Sequence, residues 1–287
     1  MDYDPIKRSA GRIFNCCRPA RVLFYRLLNL LLLRSWHIRR ELRRWAASAP
    51  ADASVLDAGS GFGQYVWFLS RLGRNFRVKG IDIKVEELAI CERFFGRAHS
   101  GGKMHSGGRA QSGGRVRSGG RVSFERADLE SFEEPGRYDL AICIDVLEHI
   151  RDDVTVMKNL CRSLKAGGML IISTPSDKGG SDVHREGESS FIGEHVRDGY
   201  GMQEIEGKLL SAGFSRAESR YTYGRSGQLS WKLSIKYPVR LLNLGRVFYL
   251  LLPLYYMVTF PVALVLNTAD LHTRHRSGTG LIVRAFR

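Results

Sequence analysis

The stretch Asp57-Ala58-Gly59-Ser60-Gly61-Phe62-Gly63 sets an acidic residue and three alternate glycines directly behind the apolar pair Val55 and Leu56. Glycines at that spacing let a backbone approach a ligand closely. The amides that open a following helix have no partner within it, so the loop suits a nucleotide-type ligand. A second apolar run, Phe76-Arg77-Val78-Lys79-Gly80-Ile81, ends in Asp82, where an acidic side chain can accept both hydroxyls of a ribose. Gln64 stands where a dinucleotide fingerprint would place its third glycine.

Proton-transfer candidates lie further on. His149 in LEHI and His195 in GEHVRDGY have Glu148 and Glu194 as chain neighbours, and each histidine competes with a plain capping or surface role. After the fourth apolar run the carboxylates are Asp145, Glu148, Asp152 and Asp153, the last two fitting a helix start, so no metal site is expected. The five cysteines, at positions 16, 17, 91, 143 and 161, form no CxxC or Cys/His ligand spacing, which predicts free thiols in a reducing compartment.

Positioning these residues requires strands that end at them. Val55–Leu56 and the run ending at Asp82 read as strands, with Val66, Phe68, Leu69 and Leu72 at helical spacing between them. MLIIST reads as a fifth strand, MQEIEGKLLSAGF as a helix, SRAESRYTYG as a sixth strand and TGLIVRAFR as a seventh. The pattern is α/β.

Five blocks in order, VLDAGSGFGQY, GIDI, ERADLESF, YDLAICIDVLEHI and LKAGGMLIISTP, span Ser54 to Pro175. Together they resemble the class I S-adenosylmethionine-dependent methyltransferases, in the group that includes ubiquinone-type O-methyltransferases. The resemblance implies a Rossmann-like sheet of seven strands and S-adenosylmethionine as cofactor. It implies that Gly59, Ser60, Gly61 and Gly63 line the methionyl part, with Asp57 supporting the loop and, through water, the amino group. Asp82 would hold the ribose, Ile83 would lie against the adenine, Asp128 and the Leu129 backbone would read the adenine edge, and Ile144 and Asp145 would face the methionyl end. Methyl transfer from a sulfonium is an in-line displacement, so alignment and desolvation dominate, with a base needed only where the acceptor loses a proton.

The formal charge of +15 is uneven along the chain. Residues 1–46 carry eleven Lys/Arg against three Asp/Glu, residues 97–121 carry six basic and no acidic residues, and residues 225–276 carry seven basic and one acidic. The rest is slightly acidic, which argues against a nucleic-acid groove on the core. Residues 1–46 read as a basic amphipathic helical arm following Pro19, with the methyltransferase domain over 47–287. A signal peptide competes for that arm, against the RRELRR cluster that follows its apolar run. Residues 97–121 contain four copies of xSGG(K/R)x, read as a disordered loop; an RNA-tethering segment would interleave aromatics, and none is present.

Phe248 to Asn267 reads FYLLLPLYYMVTFPVALVLN, within a segment uncharged between Arg246 and Asp270. Its length suits a membrane span. Strand seven must nevertheless rejoin the sheet that strand six leaves, and Pro253 and Pro261 are expected to interrupt the helix. A wedge dipping into one leaflet, flanked by Lys232, Lys236, Arg240 and Arg246, competes with a lid over a lipophilic pocket, a dimer surface and a buried core helix. The expectation is a cytoplasmic, peripherally membrane-associated methyltransferase acting on a lipophilic quinol, carotenoid-like alcohol or lipid. An RNA methyltransferase using the basic appendages and an inactive membrane scaffold are the alternatives.

Overall fold

A computed structural model describes residues 17–72, 74–96, 121–179, 196–245 and 248–287. The Ser/Gly repeat, apart from Arg121, and the Glu194–His195 pair lie outside the described residues.

The arginine-rich segment forms two helices. α1 (Arg18–Leu31) has Pro19 in its first turn, where the missing amide donor costs nothing, and α2 (Leu33–Ser48) follows a break at Leu32, whose ψ of 110° is extended. Tyr25 is buried among Trp67 and Phe94, while Ile38 and Leu42 join the core cluster of Val66 and Leu69. The sequence reads as one basic amphipathic helical arm over residues 1–46; its described part is two helices. The chain breaks at Leu32, α1 turns Arg21, Tyr25 and Asn29 inward and α2 buries Leu33, Ile38 and Leu42, so that both helices form a layer of the domain.

After α2 come β1 (Ser54–Ala58), α3 (Gln64–Leu69), β2 (Arg77–Asp82), α4 (Val85–Gly96), β3 (Val122–Arg126) and β4 (Tyr138–Ile144). A 3-10 turn over Leu147–His149 leads to α5 (Asp153–Ser163), β5 (Leu164–Pro175), α6 (Met202–Ser211) and β6 (Arg216–Thr222). The sheet order is β3-β2-β1-β4-β5-β7-β6, where β7 (Gly280–Phe286) runs antiparallel to both its neighbours and every other pairing is parallel. Central strands covered on both faces need continuous apolar runs, and Leu140 to Ile144 supply one without a polar residue. α5 and α6 cover one face through Val156, Met157, Leu160, Ile205 and Leu209, and α2, α3 and α4 cover the other. The seven-stranded Rossmann-like sheet matches the fold read from the sequence.

Between β6 and β7 the chain forms α7 (Arg225–Trp231), a π-helical turn (Lys232–Lys236), α8 (Tyr237–Leu244) and α9 (Phe248–His272). α9 folds back along α7 and the π turn: Tyr255 and Tyr256 donate their hydroxyls to the carbonyls of Leu233 and Ser234, both at 2.7 Å, and Ser230 Oγ donates to the Ala263 carbonyl at 3.2 Å. Contrary to the sequence expectation, α9 runs unbroken through Pro253 and Pro261. Each proline removes one backbone donor, and the cross-helix tyrosine bonds hold the intervening turns in place. At about 1.5 Å per residue this helix is roughly 37 Å long.

Candidate functional site

The carboxyl ends of β1, β2, β3 and β4 bring the candidate cofactor residues to one edge. Gly59, Gly61 and Gly63 all have left-handed φ (80°, 45° and 71°), and the Gly59 and Ser60 amides donate to the Ile81 carbonyl at 2.8 and 2.9 Å. A Cβ on Gly59 would meet Val146 Cγ2 at 2.3 Å, whereas one on Gly61 would meet nothing within 4 Å. The turn is therefore packed on one side and open on the other. Asp82 closes it, its two carboxylate oxygens accepting from the amides of Gly61 (2.8 Å) and Lys84 (2.9 Å). Ile83, beside it, is 60% exposed.

Asp57 sits beneath the turn with 2% of its surface exposed. Burial first, and then the charge of Asp82, push its carboxyl up to about 7, against a bond from the Val66 backbone. Asp57 Oδ2 and Ser60 Oγ are buried with no hydrogen-bond partner. Two orphaned polar atoms beside an open glycine turn fit a polar ligand at this edge, since unpaired buried groups are rare where nothing is to be bound.

The adenine-side residues behave differently from each other. Asp128 is exposed and accepts from the Glu130 amide at 3.0 Å, while Leu129 is buried and its carbonyl is taken by Asn159 Nδ2 at 3.0 Å. That bond fixes the loop from α5 and leaves the Leu129 carbonyl already engaged.

At the end of β4, Ile144 is buried and Asp145 takes a φ of +52° while its amide donates to the Ser173 carbonyl at 2.8 Å. The Asp145 carboxylate pairs with Arg34 of α2. Among the described residues one other non-glycine residue has positive φ, Tyr223 at +54°, and its hydroxyl accepts from the Arg34 amide at 2.9 Å. Both unusual backbone positions thus bond to Arg34, which fits strain held at a working edge by surrounding contacts. Sequence reasoning missed Arg34, because nothing in the spacing of an arginine-rich helix marks which guanidinium turns inward.

Glu148 is 1% exposed and accepts from Thr174 Oγ1 at 3.2 Å. Burial pushes its carboxyl above the usual carboxylate range, against its own backbone amide, His149, Thr174 and Arg34. His149 is half-buried beside it in the same 3-10 turn. Asp152 caps α5 by accepting from the Thr155 amide at 3.1 Å, and Asp153 is engaged by Tyr200 (2.7 Å), Lys208 (2.8 Å) and Arg197. No group of metal-binding side chains forms among the described residues. A cleft of about 470 Å³ between Trp45, Lys165 and Phe286 contains none of the candidate cofactor or catalytic residues.

The helix pair is latched to the glycine turn. Arg21 Nη2 and the Tyr25 hydroxyl both donate to the Phe62 carbonyl (2.8 and 2.5 Å), and Gln64 Nε2 donates to Asn29 Oδ1 and Ser35 Oγ (2.9 and 2.7 Å). Gln64, the residue that breaks the dinucleotide fingerprint, is used to bind α1 and α2 over the turn.

A family model described as a methyltransferase domain matches residues 12–214, most of the chain, including the glycine turn, Asp82, Asp128, Asp145 and Glu148. The chain belongs to the methyltransferase domain family. Among curated proteins it is similar to the ubiquinone biosynthesis O-methyltransferases of Colwellia psychrerythraea (27% identical over 125 residues, 43% of this chain and 42% of that one) and Ralstonia nicotianae (29% over 149 residues, 51% and 50%). The chain thus spans half or less of the length of these relatives. Phosphoethanolamine N-methyltransferase 2 of Haemonchus contortus, solved with phosphomonomethylethanolamine and S-adenosylhomocysteine, superposes with a TM-score of 0.57 at 15% identity, covering 99% of this chain and 58% of that one. At that identity the likeness speaks for the fold, and function is a matter for the methyltransferase domain's own residues.

Proposed function

We propose that this S-adenosylmethionine-dependent methyltransferase acts on a lipophilic acceptor, of the quinol, carotenoid-like alcohol or lipid class, at a cytoplasmic membrane surface. The observation that carries the reading is the origin of the apolar insertion. β6 ends and β7 begins at the carboxyl edge, so α7, α8 and α9 leave the sheet from the edge that holds the glycine turn. α9 exposes Leu250 (81%), Met257 (67%), Val258 (65%) and Val265 (70%), and it is long and apolar enough to cross a membrane. Both flanking strands return to one sheet, which favours a helix lying in one leaflet over a crossing. The ubiquinone-related names of the curated relatives point to the same acceptor class, and the described cysteines are all free thiols, in keeping with a reducing compartment.

The cofactor supplies a methyl group on a sulfonium. Gly59, Ser60, Gly61 and Gly63 would bring backbone to its methionyl part, with Asp57 below them, where a cationic amino group would offset the cost of a buried carboxylate. Asp82 would accept from the ribose hydroxyls, Ile83 would pack against the adenine, and Asp128 with the Leu129 amide would read the adenine edge. Ile144 and Asp145 would border the methionyl end, where Arg34 pairs with Asp145. Glu148, buried and inclined to hold a proton, is the candidate base for an acceptor hydroxyl, with His149 as its neighbour and His195 as a further candidate from sequence. Supplying the purified protein with labelled S-adenosylmethionine and a membrane lipid extract should put label into an organic-soluble product. Label confined to RNA or to water-soluble products would overturn the acceptor class.

A further inference from the structure

Two adjoining hollows on the outer side of the helix pair, of about 320 and 400 Å³, share Asn29, Leu30 and Arg39. Arg26 and Arg71 line the first and Arg43 the second, and no acidic residue lines either. Among the described residues Arg26, Arg39, Arg43 and Arg71 form no ion pair, unlike Arg44 and Arg220, which share Glu41. Three of the four are nevertheless held in place. Arg39 and Arg43 stack over Phe68 at 5.0 and 5.3 Å, and Arg71 stacks over Trp67 at 5.3 Å. A guanidinium held over a ring face still has its N–H donors available for phosphate oxygens. Arg39 Nε is buried with no hydrogen-bond partner, and burial first, then the nearby charge of Arg43, make this guanidinium easier to deprotonate than usual.

We infer that this arginine groove binds the phosphate headgroup of an acidic phospholipid. The inference rests on the membrane-surface reading above and adds a specific headgroup site to it. Three observations favour a lipid. The groove is continuous with the apolar insertion: Leu271, near the end of α9, lines it, and its carbonyl accepts from Arg40. Leu23 and Leu30 of α1 stand exposed close by, at 52% and 41%. The rings of Phe68 and Trp67 are already capped by arginines, which leaves Trp36 alone among the lining aromatics, short of the run of stacking platforms that a nucleic acid uses.

The test is co-sedimentation of the full chain with vesicles of phosphatidylcholine alone and of phosphatidylcholine mixed with phosphatidylglycerol. The parent should bind the mixed vesicles more tightly. Arg39→Gln/Arg43→Gln should lose about 30-fold on mixed vesicles, at roughly a fivefold loss per removed charge, and nothing on phosphatidylcholine alone. Arg26→Gln/Arg71→Gln, both at exposed positions, should lose a similar amount and guards against a folding defect in the first pair. The control Arg77→Gln/Arg216→Gln removes the same charge elsewhere and should change little. Equal parent affinity for both vesicle types would overturn the headgroup site while leaving membrane docking by α9 intact. Equal losses in the control pair would reduce the effect to diffuse charge and overturn it too. Tight binding of glycerophosphoglycerol or of an RNA oligomer, with acidic vesicles no better than neutral ones, would assign the groove to a soluble phosphate or a nucleic acid instead. If no vesicle of any composition is bound, the membrane-surface reading fails together with this one.

Discussion

Replacing Asp57 by Asn should make the ligand-free protein more stable at alkaline pH and hardly change it in acid. Folded Asp57 holds its proton up to about 7 because burial and Asp82 disfavour its charge, whereas the unfolded chain releases that proton from its ordinary value of 3.8. Between those values the folded state binds more protons, so this residue's contribution to stability falls as pH rises and is fully lost above about 7. The interval converts to about 4 kcal/mol at most, an upper limit because water penetration and relaxation reduce it. Asn is neutral throughout and keeps the shape and one acceptor, so the difference between variant and parent should open by about 2–4 kcal/mol between roughly pH 4.5 and pH 8. Urea melts of both proteins at a series of pH values measure that difference directly, with other titrating groups cancelling. A difference that stays constant across the range would refute the assignment of a protonated, ligand-awaiting Asp57.

Gly59→Ala combines a left-handed φ with a 2.3 Å approach to Val146 and should cost roughly 2–3 kcal/mol of stability; Gly61→Ala faces open space and should cost only about 1 kcal/mol while losing more cofactor affinity. Thermal melts and calorimetry on the pair separate the two effects. Asp270→Ala removes the fully buried acceptor shared by His37 (2.9 Å) and the amides of Gly227 (3.0 Å) and Tyr223 (3.2 Å), and should destabilise by about 3–5 kcal/mol with faster hydrogen exchange in α2. Glu148→Gln should lower turnover by about 10²–10⁴-fold and flatten its rise with pH, leaving S-adenosylhomocysteine affinity unchanged.

The sheet was legible because most of its strands carry short apolar runs, and the glycine turn after β1 with Asp82 at the end of β2 announces its edge. What escaped the sequence depends on side chains that meet only in three dimensions. The inward turn of Arg34, the hold of Gln64 on α1 and α2, and the orphaned Ser60 hydroxyl leave no periodic trace. The break at Leu32 escaped because its neighbours are good helix formers, and packing against α3 and α4 decides it. The prolines of α9 misled in the other direction: a proline penalty is local, and the cross-helix tyrosine bonds that offset it lie about twenty residues away in the chain.

Titration calorimetry of S-adenosylhomocysteine into the purified chain and into Asp82→Ala tests the central claim most directly. Saturable binding to the parent is expected, weakened by about 1–3 kcal/mol in the variant, because the ribose hydroxyls and the Gly61 amide lose the carboxylate they share. No binding to the parent, or undiminished binding to Asp82→Ala, would contradict it.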